Sequence, residues 1–160
     1  MNLNKSFLKF CEDNEYEINK NQVCIIKKLS EFYNLNFKQS FIKKIFTEKN
    51  YKLGFYLVGD VGVGKTMILN FFFNSLKETK IRLHFNEFMI KFHEYVHKNK
   101  ENGKDNGLDK FVKDLSNKTK IIYLDEFQVT NIVDAMILGK LFEKIFENKL
   151  RVIFSSNTNV

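Results

Sequence analysis

The sequence predicts an α/β fold, in which a parallel β-sheet is flanked by helices, with a helical segment ahead of it. Four short, nearly continuous apolar runs follow residue 50, as expected for strands buried on both faces of a parallel sheet. Segments with helical spacing separate these runs, and such alternation is typical of α/β folds with right-handed crossovers. The predicted strands are Phe55–Val58, Ile81–Phe85, Ile121–Leu124 and Leu150–Phe154, and the predicted helices between them are Lys65–Lys77, Asn86–His97, Leu108–Leu115 and Ile132–Phe146.

The N-terminal region is predicted to be a helical lead that packs on the core. Apolar residues recur at helical spacing from Val23 to Tyr33 and again from Phe37 to Phe46, and neither stretch contains glycine or proline. We therefore expect residues 1–50 to form the lead and residues 51–160 the core. Within the core, Lys98–Gly107 has two glycines and no apolar residue, which predicts a mobile loop.

Length and composition fit one globular domain. The chain has 160 residues, of which 44% are apolar and 28% charged. No apolar run approaches the roughly 20 residues of a membrane helix, and no secretion signal is visible at the N-terminus. We expect a cytoplasmic protein without a membrane span. Cys11 and Cys24 lie outside any metal-ligand spacing, so both are predicted to be free thiols, with Cys24 packed on a helix face.

The net charge of +7 raises the question of a nucleic-acid partner. Of the 26 basic residues, 24 are lysines, and these are spread along the chain instead of forming a cluster. Charge alone therefore favours nucleic-acid binding only slightly, and we expect no nucleic-acid partner.

A glycine-rich segment follows the first predicted strand and opens a predicted helix. It reads Gly59-Asp60-Val61-Gly62-Val63-Gly64-Lys65-Thr66 and fits the P-loop pattern G-x-x-x-x-G-K-[ST]. The glycines allow successive backbone N–H groups to face phosphate oxygens, and the helix adds its positive N-terminal end. Lys65 is predicted to bind the outer phosphates and Thr66 to ligate Mg²⁺. Together with Met67, this segment is the predicted nucleotide-binding site.

A second motif supports the first, because the apolar strand Ile121–Leu124 ends in Asp125 and Glu126. In P-loop enzymes an aspartate in this position holds the Mg²⁺ shell, and Asp125 is predicted to do so. Glu126 is predicted to polarise the attacking water, which favours an ATPase over a kinase or a small GTPase. No N-K-x-D segment is present, so ATP is preferred to GTP. Paired acids after a strand can also cap a helix.

The fourth predicted strand is followed by Ser155, Ser156 and Asn157. In ATPases of the AAA+ type a polar residue at this position helps to orient the water, and Asn157 is predicted to have this role. An asparagine after a strand can equally be a turn residue.

The segment from His93 to His97 matches the zinc-protease pattern H-E-x-x-H. No third ligand is convincingly placed, and Lys100 and Gly103 stand where an extended motif needs other residues. An apolar stripe accounts for the helix and leaves both histidines at its margin, so a packed or surface histidine pair is the preferred interpretation. His84, within a predicted strand, is expected to be a core histidine.

Taken together, these segments resemble the ZapE-like ATPases, which comprise bacterial cell-division ZapE and its mitochondrial relatives. The resemblance covers residues 53–160 well, with Val63 in place of a frequent arginine and Asn131 in place of an aspartate. The matching segments are Gly59–Met67; Arg82-Leu83-His84-Phe85 with Phe88-Met89, His93 and His97; Leu124–Thr130 with Asp134–Leu138; and Ser155–Thr158.

The resemblance implies an AAA+-like ATPase that acts in cell division, with partners in the division ring and self-association in the complete protein. It also implies a cytoplasmic location in a bacterium, or a mitochondrial one if the chain is a eukaryotic relative. The family continues with a fifth strand, an arginine finger and a helical lid, whereas this sequence ends at Val160. We therefore expect an incomplete core, with Phe55–Val58 at an unpaired edge. Neither Arg82 nor Arg151 is a plausible finger, so we expect nucleotide binding with weak turnover.

Two other classes of function remain open from the sequence. One is a helicase-loader or replication-initiator ATPase, which the shared AAA+ core and the lysine content allow. The other is a nucleotide-gated binding module without turnover. Salt-dependent DNA binding would identify the first, and nucleotide-dependent partner binding without hydrolysis would identify the second.

Overall fold

The computed structural model describes residues 3–38, 52–101 and 106–157. The second apolar series of the predicted lead lies mostly outside these residues. The described elements, in chain order, are α1 (Leu3–Asp13), α2 (Lys20–Phe37), β1 (Gly54–Val58), α3 (Lys65–Ser75), β2 (Lys80–His84), α4 (Phe85–Glu101), α5 (Gly107–Lys118), β3 (Ile121–Asp125), α6 (Ile132–Glu147) and β4 (Arg151–Ser156).

The strands form a four-stranded sheet in the order β1-β4-β3-β2. Strand β3 runs parallel to β2 with Arg82 opposite Tyr123, and parallel to β4 with Tyr123 opposite Ile153. The predicted parallel sheet is confirmed. In the described sheet β1 is an outer strand, as expected for Phe55–Val58.

Burial on both faces is found in only part of the sheet. Every residue of β3 is buried, and β4 is nearly as well covered. The prediction is wrong for β1 and β2, which are only partly buried. Both are outer strands of the described sheet, so each has a neighbouring strand on one side only. Their apolar sequences alone could not distinguish an outer strand from an inner one.

Two predicted boundaries are also wrong. Phe85 begins helix α4 instead of ending a strand. Helix α4 continues to Glu101 and α5 begins at Gly107, so both ends of the predicted loop Lys98–Gly107 are helical. Asn99 gives a physical reason, because its side-chain amide donates to the Tyr95 carbonyl at 2.8 Å and accepts from Lys110 Nζ at 3.2 Å. Local hydrogen bonds thus stabilise a polar segment that has no apolar periodicity.

The chain divides into two units, and the first comprises Met1–Phe55 with Val61–Lys77. In this unit α1 and α2 are helices within the predicted lead, and both pack on α3, the helix that follows the glycine-rich loop. Aromatic rings form the contacts. Phe7 and Phe10 each lie 5.1 Å from the Phe71 ring, and Tyr33 lies edge-on to Phe72 at 6.5 Å.

The second unit comprises Tyr56–Asp60 with Glu78–Val160. Its core fills the space between one face of the sheet and helices α4, α5 and α6. The buried members of this core are Phe85, Phe88, Met89, Phe92, Val112, Ile122, Leu124, Leu138, Leu141, Ile145, Leu150 and Val152.

The two cysteines differ in exposure, and both are free thiols as predicted. Cys11 is buried in α1, and burial raises the pKa of its thiol. Cys24 is exposed, so the prediction that it packs on a helix face is wrong. It precedes the buried Ile26 by two positions, about 200° around the helix, and therefore lies on the opposite side of α2.

A search of the described helices found none with the length and apolar character that a membrane crossing requires.

Replacement of Leu141 by alanine is expected to destabilise the second unit. Leu141 is fully buried, and truncation of a buried leucine typically costs about 2–5 kcal/mol because a cavity remains. The free energy of unfolding should be measured by urea titration. Val133→Ala on the same helix is the control, since Val133 is 52% exposed and should change stability by no more than about 0.5 kcal/mol. Equal losses in both variants would contradict this description of the core.

Candidate nucleotide-binding site

The glycine-rich loop has the backbone that its sequence predicts. Gly62 has φ +87° and Gly64 has φ +84°, the left-handed region that favours glycine. Gly64 is also the N-cap of α3, where it has no side chain to cap the helix. The first N–H groups of α3 are therefore without the capping oxygen that serine or aspartate would supply. Such a helix start favours an anion.

The remaining loop residues differ in exposure. Lys65 begins α3 and is only 8% exposed, whereas Thr66 beside it is exposed. Asp60, Val61 and Val63 are exposed, and Gly59 and Met67 are half-buried. The Val63 side chain, at 50% exposure, thus lies outside the core.

Gln22, on α2, lies against this loop and was missed by the sequence analysis. Its Nε2 lies 3.4 Å from the Val63 carbonyl oxygen, to which it donates. Its Oε1 is buried with no hydrogen-bond partner in the described part of the chain. A Cβ at Gly64 would lie 2.7 Å from Gln22 Nε2, so only glycine fits there without displacing the glutamine.

A cavity of about 480 Å³ opens beside Gln22 at the start of α2, lined by Glu17 and residues 19–22. The unpaired amide oxygen of Gln22 is thus a buried hydrogen-bond acceptor close to the loop. No sequence signal identifies Gln22, because a glutamine in the first turn of a helix is unremarkable by itself.

Asp125 ends the inner strand β3 and is 8% exposed. Hydrogen-bond donors surround its carboxylate, and the Tyr123 hydroxyl is one of them. Ser155 Oγ donates to Oδ1, and so does the Glu126 backbone N–H at 3.1 Å. The Arg82 guanidinium donates to Oδ2 and forms a salt bridge with it. Strands β2 and β4 therefore each supply one side chain to the carboxylate of the strand between them.

These contacts decide the charge of Asp125. Burial by itself would raise the pKa of the carboxyl, but the hydrogen bonds from Ser155 and Arg82, with the positive charge of Arg82, lower the pKa below its usual value. Burial raises the pKa of neighbouring Tyr123 to about 12. The Tyr123 hydroxyl lies 3.2 Å from Ser155 Oγ. At neutral pH the site thus presents an ionised carboxylate beside a neutral phenol, and an ionised carboxylate is the oxygen donor that Mg²⁺ prefers.

Glu126 follows with φ +53°, a conformation that non-glycine residues rarely adopt. Its carboxylate is 70% exposed, and Oε2 lies 3.6 Å from His84 Nδ1. The prediction that His84 belongs to the core is wrong, because its side chain is 59% exposed at the end of an outer strand. The structure thus places a histidine beside the predicted water-activating residue.

Asn157 lies just beyond β4 and is exposed. Ser155, two residues earlier, is the residue of this segment that contacts Asp125. The Phe127 N–H also donates to the Ser155 carbonyl at 2.7 Å, which fixes the segment after Glu126. The role of Asn157 in orienting water stays a prediction. The hydrogen bond from Ser155 to Asp125 was not predicted from the sequence.

The histidines of the H-E-x-x-H segment have other surroundings. His93 Nε2 lies 2.7 Å from Asp134 Oδ1, and His97 is exposed. On the same helix Phe88, Met89 and Phe92 are buried in the core. Over residues 3–38, 52–101 and 106–157, no three His, Cys, Asp or Glu side chains are grouped as a metal site would require.

The fold is that of AAA+-type P-loop ATPases. The DnaI structure covers 91% of this chain at a TM-score of 0.53 and 22% identity, with 69% of that structure matched. The structure of the replication initiator DnaA bound to AMPPCP and single-stranded DNA covers 91% of this chain at a TM-score of 0.57 and 14% identity, with 41% of that structure matched. At these identities the likeness establishes the fold.

The chain belongs to the AFG1-like ATPase family, whose family model matches residues 2–159. Lactation elevated protein 1 homolog B of Danio rerio is 37% identical over 114 residues, which are 65% of this chain and 23% of that protein. Cell division protein ZapE of Escherichia coli K12 is 36% identical over 105 residues, again 65% of this chain and 28% of that protein. The resemblance to ZapE-like ATPases is confirmed, and the chain matches about a quarter of the length of these relatives.

Replacement of Ser155 by alanine is expected to reduce stability toward acid. Because the pKa of Asp125 is lowered in the folded protein, its contribution to stability is present above the ordinary carboxyl pKa of 3.8 and is lost as pH falls through the folded-state value. Without the Ser155 hydroxyl the folded-state pKa rises toward its ordinary value, so Asp125 contributes less stability above that pH and acid unfolding should occur at a higher pH. Acid unfolding followed by circular dichroism measures this. Ser116→Ala is the control, because the Ser116 hydroxyl donates to the Lys113 carbonyl within α5. Identical acid midpoints for the parent and Ser155→Ala would contradict the hydrogen-bond assignment.

Proposed function

We propose that this chain binds Mg²⁺–ATP and forms part of an ATPase. The observation that carries the proposal is the pair of left-handed glycines, Gly62 and Gly64, directly ahead of a helix that begins at Lys65. Backbone N–H groups in such a turn form a concave site for anions. Membership of the AFG1-like ATPase family supports ATP as the nucleotide.

Each predicted site residue has a specific task in this proposal. Lys65 places its charge on the outer phosphates, while Thr66 and the ionised Asp125 would hold Mg²⁺ through oxygen. When bound, the metal supplies charge neutralisation at the phosphate oxygens. Glu126 would accept a hydrogen bond from the attacking water and so orient it, with Asn157 as a second polar group at the same edge of the sheet.

The chain's two arginines bear on turnover. Arg82 is engaged with Asp125, and Arg151 is 8% exposed at the start of β4, where it donates to the Leu150 carbonyl. Because both are engaged within this chain, we assign neither as an arginine finger. An arginine finger contributes about 10³–10⁵ in rate in other P-loop enzymes, so we expect weak turnover from this chain alone.

The biological setting is proposed from the relatives. ZapE is named a cell division protein, and at 36% identity over 105 residues we propose a role in division with partners in the division ring. Self-association through the AAA+ core and a cytoplasmic location are part of the same proposal.

Two other functions need separate tests. A replication-type ATPase is suggested only by fold, through DnaI and DnaA. DNA binding that weakens steeply with salt would support it. A nucleotide-gated module would bind a partner in the presence of ATP without releasing phosphate.

Replacement of Lys65 by alanine should weaken ATP binding. Loss of one charge-assisted contact of about 1.5–3 kcal/mol corresponds to about 10- to 100-fold in affinity. Calorimetric titration of Mg²⁺–ATP into the parent and the variant measures this. Lys77→Ala is the matched control, since Lys77 is an exposed lysine just after the same helix. Equal affinity for the parent and Lys65→Ala would refute the site.

Replacement of Glu126 by glutamine should preserve ATP binding and abolish residual hydrolysis, because the amide cannot act as a base toward water. Phosphate release and binding affinity should be measured on the same preparations. Glu147→Gln, at the exposed end of α6, is the control for the charge change. Brisk parental hydrolysis would contradict the expected weak turnover, and retention of hydrolysis in Glu126→Gln would contradict the assigned base.

A further inference from the structure

Arg82 has an arrangement that the nucleotide site described above does not use. It lies on β2 opposite Tyr123 of β3, and its guanidinium carbon is 4.9 Å from the centre of the Tyr123 ring. From there it forms its salt bridge with Asp125 Oδ2. Its side chain is 34% exposed, while that of Asp125 is 12% exposed. A partly exposed cation on an outer strand thus neutralises a buried carboxylate on an inner one.

The distribution of donors between the two oxygens of Asp125 is unequal. An ionised carboxylate has about four acceptor positions, two on each oxygen. Oδ1 accepts from Ser155 Oγ and from the Glu126 N–H, which fills its capacity. Oδ2 accepts from Arg82. The Tyr123 hydroxyl is a further hydrogen-bond partner of the same carboxylate. A metal shell would therefore have to share a carboxylate that the guanidinium already binds.

Electrostatics make the two cations competitors. A guanidinium and Mg²⁺ that share one carboxylate oxygen repel each other at short range, and partial burial reduces the screening by solvent. Without either cation, the buried carboxylate of Asp125 would be uncompensated, which is costly. A cation is therefore needed in both states of the site, and Arg82 provides it when nucleotide is absent.

We propose that Arg82 is a positioning residue that holds the Asp125 carboxylate in the nucleotide-free protein and releases it when Mg²⁺–nucleotide binds, so that it sets the Mg²⁺ concentration needed for binding. The inference rests on the proposed function of the site. The exposed side of the arginine leaves room for this release, because its long side chain can turn toward solvent without unpacking the core.

The test measures binding of the non-hydrolysable analogue AMPPCP at a series of Mg²⁺ concentrations, by calorimetry, for the parent and Arg82→Gln. Removal of the competing charge should lower the half-saturating Mg²⁺ concentration about three- to tenfold. Lys80→Gln is the matched control, since it removes a cation from the same strand two residues earlier and should leave the Mg²⁺ dependence unchanged. Arg82→Lys keeps a cation without the planar fork and should lie between the parent and Arg82→Gln.

Thermal unfolding provides a second measurement on the same proteins. Arg82→Gln should melt lower than the parent without ligand, and Mg²⁺–AMPPCP should raise its midpoint by more than it raises that of the parent. A merely structural salt bridge would lower both midpoints alike. If Arg82→Gln fails to fold, the half-saturating Mg²⁺ concentrations of Arg82→Lys and Lys80→Gln are compared instead, and only that of Arg82→Lys should be lower than in the parent.

An unchanged or higher Mg²⁺ requirement in the Arg82 variants would overturn the inference. Failure of the parent to bind Mg²⁺–AMPPCP at all would instead refute the proposed function, so the two failures are distinguishable.

Discussion

The buried carboxylate of Asp125 depends on hydrogen bonds and charge from both neighbouring strands. An ionised carboxylate on a side chain that is only 12% exposed needs donors, and it receives them from β4 through Ser155 and from β2 through Arg82. The sheet order β4-β3-β2 is what makes both available. Further contacts follow from the same arrangement, because Ser155 also contacts the Tyr123 hydroxyl and accepts the Phe127 N–H. Polar and backbone groups at this end of the sheet thus form one connected network.

The glycine-rich loop depends on a different kind of support. Its glycines adopt conformations that other residues rarely take, and α3 begins immediately after them. Aromatic contacts from α1 and α2 hold α3, with Phe7 and Phe10 against Phe71. Gln22 adds a direct contact with the loop itself. The helical lead is therefore part of the support of the loop and more than a preceding segment.

Sequence patterns predicted what depends on local chemistry. The P-loop glycines, the apolar strand ahead of Asp125 and the helix spacing are all local, and the structure has each of them. Asn131 is the N-cap of α6 and accepts the Val133 N–H at 2.8 Å, as an aspartate also could. Tertiary contacts were not predictable in this way. Nothing in the sequence around Arg82 or Ser155 indicates that they meet at one carboxylate, since they lie 43 and 30 positions from Asp125. The predictions that His84 and Cys24 are buried were wrong, because burial depends on strand order and helix orientation. The sequence segments around these two residues do not encode either.

The central claim, that the glycine-rich loop and Asp125 together bind Mg²⁺–nucleotide, is tested most directly by a crystal structure with AMPPCP and Mn²⁺ in place of Mg²⁺. Anomalous scattering locates the manganese ion. The account predicts the ion at the Asp125 carboxylate, phosphates on the N–H groups of Gly62 to Lys65, and the Arg82 guanidinium moved off Oδ2. Nucleotide bound elsewhere, or manganese far from Asp125, would contradict it.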